Sequence, residues 1–223
     1  MPASRGPTRR RSAACLSAWL DLLLSVLLLS VLLLGGLLLG VAAPVRAAVA
    51  QVDIDRRGAV FAVQARAHVA APLSLAWATV TDYETLPAFI PDITSSRILE
   101  RRRDGAVEHL LLEQRGALRF LFFTRPVAVR LRIEQQQPSR VVAHHVVRPE
   151  GGADDEVRSF DGDYLLEEDA GGTTLSYHAR IEPAFDLPPI VGAMLVRRTV
   201  RAQFQALVDE IERRAGTLAA PLR

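Results

Sequence analysis

The sequence predicts an α+β domain in which a curved antiparallel sheet of about seven strands wraps on a long C-terminal helix. Three observations support this prediction. Two short helical segments follow the first strand candidate, six further strand candidates follow one another across short turns, and a long helical segment closes the chain. Strands joined by short turns pair antiparallel, and a single helix after such a run covers one face of their sheet.

The first predicted strand runs from Phe61 to Val69. Apolar side chains occupy alternate positions along it, and polar ones, including His68, occupy the positions between them. This alternation is typical of a half-buried strand. Pro72 ends the strand and suits the first turn of a helix, so residues 73–80 are predicted to form the first short helix.

The stretch TVTDYETLPAFIPD, residues 79–92, predicts a corner of the fold. Thr81 and Glu84 have the spacing of a capping box at a helix start. Three apolar side chains then share one face of a second short helix: Tyr83, Leu86 and Ile90. Pro91 stops this helix. Because no acid here pairs with a base or a nucleophile, the pattern does not indicate catalysis.

After the corner the chain alternates between apolar segments and turn signals that contain Gly or Pro, one of which is Gly116. The predicted strands are Ile93–Arg102, Ala106–Arg115, Leu118–Glu134 with a break near Pro126, Arg140–Arg148, Val157–Glu168 and Thr173–Phe185. Residues 47–56, before the first strand, are interpreted as a tether. The small residues Gly162 and Ala179 lie among larger apolar ones and predict open space beside the sheet.

A helix is predicted from Pro188-Pro189 to about Ala215. Its second half is amphipathic, as expected for a helix with one buried face. Its first half, Ile190–Val196, is apolar nearly all round. Such a segment is covered by more than one surface or faces a cavity.

Residues 1–50 predict a signal peptide or a transmembrane anchor. Arginines precede an uncharged apolar stretch, Leu22–Val45, and Ala48-Val49-Ala50 offers a cleavage site before Gln51. The stretch is also long enough to span a bilayer, so both alternatives stay open. In either case the Arg-rich end stays in the cytoplasm. The expectation is an exported domain at 51–216 with a tail at 217–223, either periplasmic or anchored on the outer side of the inner membrane.

Charge and cysteine content exclude several functions for residues 51–223. The chain has 27 basic and 25 acidic residues, of which residues 1–50 hold five Arg and one Asp, so the remainder carries a net charge of −2. It therefore has no bulk charge to attract nucleic acid. The only Cys is Cys15, so the exported part cannot form a disulfide, a thiol nucleophile or a Cys-ligated zinc site.

The five histidines predict neither a metal site nor a catalytic pair. His68 and His178 fall on the polar sides of their strands, and His144 and His145 are adjacent and so point to opposite faces. His109 stays ambiguous. No two histidines have helical metal-ligand spacing with a nearby acid. No catalytic residue, metal or cofactor is therefore predicted.

Five segments carry a family resemblance: VAAPLSLAWATVTDYETLPAFIPDITSSRIL (Val69–Leu99), EQRGALRFLFF (Glu113–Phe123), FDGDYLLEE (Phe160–Glu168), TTLSYHARIEPAF (Thr173–Phe185) and the closing helix. Together they resemble the START-like superfamily (SRPBCC, helix-grip fold), in particular its polyketide cyclase/dehydrase and coenzyme Q-binding branch. The resemblance covers about residues 58–215. It implies that the corner helices, the sheet and the long helix enclose an apolar pocket, with the corner closing one end.

The resemblance further implies a domain that binds, transports or sequesters a lipid, quinone or polyketide. We expect this domain to be non-enzymatic, with the apolar first half of the last helix as a gate. The alternative is an enzyme of the cyclase/dehydrase type that uses an inward-facing His or Tyr. A ribosome-acting protein also fits the superfamily, but it does not fit the export signal. The expected pocket residues are Trp77, Tyr83, Phe89, Phe123, Val129, Leu131, Tyr164, Tyr177, Ile190 and Met194.

Overall fold

The computed structural model of the chain describes residues 50–120, 123–147, 157–187 and 189–219. The strands are β1 Gln51–Arg57, β2 Val60–Val69, β3 Ile93–Asp104, β4 Val107–Phe120, β5 Phe123–Gln136, β6 Arg140–His145, β7 Val157–Asp169 and β8 Gly172–Pro183. The helices are α1 Leu73–Val80, a 3₁₀ turn Tyr83–Thr85, α2 Leu86–Phe89 and α3 Pro189–Ala219.

The eight strands form one antiparallel sheet in the order β1-β2-β8-β7-β6-β5-β4-β3. Helix α3 packs on β1, β2 and α1, and its apolar face, which includes Phe204, Leu207 and Ile211, joins the main core. Buried residues of α1 and of strands β1, β2 and β4 to β8 also belong to that core. The predicted α+β class, with a long C-terminal helix against an antiparallel sheet, is confirmed.

Residues 47–56 were predicted to form a tether, but from Gln51 onward they belong to strand β1. The tether prediction is therefore wrong for these residues. Every residue from Gln51 to Arg57 pairs with β2, which adds an eighth strand at the edge of the sheet. Val52 is buried, whereas its neighbours Gln51 and Asp53 are exposed. The alternation is short and interrupted by charge, so pairing with β2 decides the conformation rather than the local pattern.

The reversal between β4 and β5 differs from the prediction. Strand β4 continues through Gly116 to Phe120, so Gly116 is not a turn residue. A Cβ at this position would lie 2.2 Å from the backbone oxygen of Asp92. The neighbouring Ala117 N–H donates to that same oxygen at 2.9 Å. The glycine therefore permits a close approach of two backbones, which the sequence pattern does not distinguish from a turn.

The corner lacks the predicted capping box. The Thr81 hydroxyl donates instead to the Trp77 carbonyl oxygen at 2.8 Å, and neither Thr81 nor Asp82 caps the 3₁₀ turn through its side chain. Pro87 lies in the first turn of α2. Thr81 follows α1 directly, so its hydroxyl meets the open carbonyls of that helix before it can reach the next one.

Ion pairs fasten the corner to α3. Arg214 donates to Asp82 at 3.1 Å and to Glu210 at 2.7 Å, and its guanidinium lies 5.6 Å from the centre of the Phe89 ring. Hydrogen bonding by Arg213 lowers the pKa of Glu210 to about 2, and Arg214 adds to the effect. Glu210 is therefore charged at neutral pH, and its side chain is nearly buried between the two arginines.

Helix α3 extends to Ala219, past its predicted end. Among the described residues, none of the helices has the length and apolar character needed to cross a membrane. The predicted signal or anchor, apart from Ala50, lies outside the described residues.

The buried ring of Trp77 makes α1 part of the core, with 6% of its surface exposed. We expect Trp77→Ala to lower the free energy of unfolding by about 3–5 kcal/mol, because truncation of a large buried aromatic leaves a cavity. Ser74→Ala on the exposed side of the same helix is the control, with an expected change within about 0.5 kcal/mol. Urea denaturation measures both. A loss at Trp77 no larger than that of the control would contradict the core assignment.

Candidate functional site

A cavity of about 240 Å³ lies between the sheet, the corner and α3. All strands from β3 to β8 contribute side chains to its wall, and so do α1, the 3₁₀ turn, α2 and α3. Most of these side chains are aliphatic or aromatic. The cavity therefore interrupts the main core of the domain, and the same sheet face that builds the core also builds the wall.

The strand register decides which residues reach the cavity. Along β5, Val129, Leu131 and Ile133 line it, whereas the alternate residues point to the other face of the sheet. Tyr164 of β7 lies directly opposite Tyr177 of β8, and both line the wall. Side chains opposite each other in an antiparallel pair share a face, so the two tyrosines enter the cavity together.

The two tyrosines form an aromatic group with Phe204 of α3. The Tyr164 and Tyr177 ring centres lie 4.5 Å apart, and each lies within 6.4 Å of the Phe204 ring centre. Burial raises the pKa of the Tyr164 hydroxyl. Burial, with a smaller contribution from Tyr164, also raises the pKa of Tyr177. Both hydroxyls are therefore neutral hydrogen-bonding groups at physiological pH.

The corner supplies the third tyrosine. Tyr83, Leu86 and Ile90 all line the cavity, so the predicted common face of these residues is confirmed. The Tyr83 hydroxyl donates to Gln135 Oε1 at 3.0 Å, and Gln135 in turn donates to Glu108. Burial, followed by the charge of Glu108, raises the pKa of Tyr83.

Two glutamines of the wall were missed by the sequence analysis. Gln114 lies on β4, two residues after the cavity-lining Leu112, and Gln203 lies on α3. Gln114 could not be placed from the sequence, because three consecutive leucines, Leu110 to Leu112, precede it and do not mark which face of β4 is inward. Gln203 could not be predicted from the sequence either. Its place in the wall depends on contact with the corner, which is distant from it in the chain.

The ten expected pocket residues divide into three groups. Tyr83, Val129, Leu131, Tyr164 and Tyr177 line the cavity. Trp77 belongs to the core, and Phe89 packs against that core; neither side chain is part of the cavity wall. Met194 also lies outside the wall, and 53% of its surface is exposed. The side chains of Phe123 and Ile190 lie outside the described residues. Ligand contact by any of the ten stays a prediction.

Packing accounts for much of the apolar first half of α3. Val196 joins Phe61 and Val63 of β2 in a second core cluster, and Leu195 is buried. A Cβ at Gly192 would lie 2.7 Å from the Leu187 Cβ, so this turn of the helix lies tightly against the preceding loop. Met194 points away from these contacts, and the gate hypothesis gains no support from its position.

Gly162 and Ala179 differ in what they leave open. Gly162 lines the cavity, but a Cβ there would lie 2.9 Å from Cζ of Phe160. The Phe160 ring therefore occupies the space that the glycine leaves. Ala179 is buried in the second core cluster and does not line the cavity.

Histidines do not line the cavity in the described part of the chain. His68, His144 and His178 are exposed, as predicted for the first and third, and each lies within 3.6 Å of an aspartate. His109 lies 3.7 Å from Glu134. The described residues contain no group of His, Cys, Asp or Glu that could hold a metal ion.

Comparison with known proteins places this arrangement in a family. Residues 69–208 match the model of a family described as polyketide cyclase/dehydrase and lipid transport. No curated protein sequence matches the chain.

Solved structures share the fold at low sequence identity. The Zhui aromatase/cyclase from a Streptomyces species has a TM-score of 0.58 at 15% identity, over 73% of this chain and 99% of that one. A STAR-related lipid transfer protein from Xanthomonas axonopodis has a TM-score of 0.54 at 15% identity, over 74% and 94%. Human STARD10 has a TM-score of 0.51 at 12% identity, over 75% and 77%.

The tyrosines allow a test of the buried site, because all three in the chain line the cavity. Their raised pKa values mean that the native state keeps its phenol protons above pH 10, where the unfolded state loses them. Stability therefore falls as pH rises above about 10, by roughly 1.4 kcal/mol per pH unit for each tyrosine.

We expect tyrosinate absorbance to appear only as the protein unfolds in alkali. The chain has no Lys, so few other groups titrate in this range. Absorbance recorded beside circular dichroism measures both events. Tyrosinate absorbance with a midpoint near pH 10 in the folded protein would contradict the placement of the three hydroxyls.

Proposed function

The chain belongs to the polyketide cyclase/dehydrase and lipid transport family, and from this we propose that it binds a hydrophobic small molecule in the cavity beneath α3. One observation carries the proposal: an internal cavity with an apolar and aromatic wall and a few neutral polar groups. Such a wall is typical of small-molecule sites in proteins. The family description names lipid transport beside cyclase/dehydrase chemistry, and the role that we propose is transport or sequestration of the ligand.

Affinity would come from burial of apolar surface, at roughly 25 cal/mol for each Å² removed from water. The cavity volume of about 240 Å³ lies just below the usual range of roughly 300–1,000 Å³ for such pockets. This size favours a compact ligand over a lipid with two long chains.

The enzymatic alternative requires an inward-facing acid or base. The inward tyrosines have raised pKa values, which disfavours the tyrosinate that would act as a base and weakens the phenol as an acid. Histidines are absent from the described part of the wall. These observations support binding over cyclase/dehydrase chemistry at the described residues.

We also propose that the domain is exported, because arginines precede the apolar stretch of residues 1–50. A reporter fused after Arg223 that works only outside the cytoplasm should be active. Activity of a reporter that works only in the cytoplasm would overturn the proposal and would favour a ribosome-acting role. Residues 1–50 can be deleted as the matched control, which should abolish export.

Filling the cavity tests the binding proposal. Ala143 lines the wall from β6, so Ala143→Phe should weaken binding of the neutral fluorescent arene 1-aminoanthracene at least about tenfold. The melting temperature should change little or rise, because the new ring occupies existing space. Ala62→Phe is the control, since Ala62 lies on β2 between the buried residues Phe61 and Val63 and so faces outward.

Fluorescence titration beside a thermal melt measures both variants. Unchanged arene binding in a folded Ala143→Phe protein would place the ligand elsewhere and refute the cavity as the site. Where that variant does not fold, Ala143→Leu replaces it as the smaller substitution.

A further inference from the structure

We propose that the cavity selects an uncharged ligand with a hydroxyl group that donates a hydrogen bond, and that the amide oxygen of Gln203 or of Gln114 accepts this bond. The inference rests on the proposed function, because it assumes that the cavity holds a hydrophobic molecule. It adds the polar chemistry by which the site would discriminate among such molecules.

Gln203 presents an acceptor to the cavity. Its Nε2 donates to the carbonyl oxygen of Pro91 at 3.2 Å. A carbonyl oxygen can only accept, so this bond decides which end of the amide is the nitrogen and leaves Oε1 as the second polar atom. This bond lies at a solvent-exposed edge of the site, and no described residue donates to Oε1, although the side chain lines the cavity. A ligand hydroxyl can supply that donor.

Gln114 presents a second amide from another wall element, although its contact with the Ser96 hydroxyl does not decide which end of the amide is the oxygen, because a hydroxyl can donate or accept. Its Nε2 lies 3.4 Å from the Ser96 hydroxyl on β3, and its side chain lines the cavity from β4. Ser96 comes three residues after Ile93, and Pro91 lies two residues before Ile93. Both amides are therefore anchored beside the turn that joins α2 to β3, and this end of the cavity is where we place the ligand hydroxyl.

The remaining wall supports a neutral ligand. Tyr164 and Tyr177 stay protonated because burial raises their pKa values, so they present dipoles but no charge. The lining residues that the structure describes are all uncharged. A carboxylate in this cavity would lose its water without gaining a cation, which is costly. A ketone, quinone or ether could accept a hydrogen bond from the Tyr164 or Tyr177 hydroxyl, but it would bring no donor to the amide oxygens.

Three matched probes separate these possibilities. 2-Naphthol can donate, 2-methoxynaphthalene has the same rings and oxygen but can only accept, and 2-naphthoate is charged. We expect 2-naphthol to bind about 3- to 10-fold more tightly than 2-methoxynaphthalene, as one satisfied hydrogen bond predicts. We expect 2-naphthoate to bind at least about tenfold more weakly than 2-methoxynaphthalene. Displacement of 1-aminoanthracene from the full chain measures all three.

Two variants assign the preference to the glutamines. Gln203→Met and Gln114→Met keep the length of the side chain and remove the acceptor. In at least one of them the ratio of affinities for 2-naphthol and 2-methoxynaphthalene should fall to about one, while binding of 2-methoxynaphthalene is retained. Gln64→Met on the exposed side of β2 is the control and should keep the full ratio.

The outcomes distinguish this inference from the proposed function. Equal binding of 2-naphthol and 2-methoxynaphthalene, with 1-aminoanthracene bound, would overturn the hydroxyl preference and leave the binding proposal standing. Tight binding of 2-naphthoate would overturn the neutral-ligand inference. A preference that survives in both glutamine variants would overturn their assigned role. Failure of every probe to bind would refute the proposed function and this inference with it.

Discussion

The antiparallel register between β7 and β8 is the constraint on which the centre of the molecule depends. It sets Tyr164 opposite Tyr177 and Gly162 opposite Ala179, so that one face of the pair holds the aromatic part of the cavity wall. A slip of one residue would turn these side chains outward and bring Asp163 and its neighbours inward. The cost of burying that charge makes the observed register strongly preferred.

The cavity also requires α3 to stay in place above the sheet, and contacts at both ends of the helix provide this. Near its C-terminal end, Arg214 joins Asp82 of the corner and Glu210 of its own helix. Just before its N-terminal end, Arg56 of β1 donates to the Leu187 carbonyl oxygen at 2.9 Å. Strand β1 lies outside the residues that match the family model, yet it helps to hold the helix over the site.

Polar groups in the cavity are few, and they are neutral for a physical reason. Tyrosine and glutamine can be buried at the cost of partly satisfied hydrogen bonds, whereas an unpaired charge in the same place would shift its pKa until it became neutral. The charged residues that the structure describes near the core, such as Glu210 and Glu113, are surrounded by arginines instead. The site thus combines apolar burial with weak, directional polar contacts.

The sequence by itself determined the class of fold and the inward faces of the strands, because strand alternation and helix periodicity are local patterns. Tyr164, Tyr177 and Leu131 were predicted in this way. Tertiary structure alone decided that Gly116 is a close approach to Asp92 rather than a turn, that residues 51–57 are a strand, and that Gln203 meets the corner. Each depends on contact between segments distant in the chain, which a local pattern does not encode.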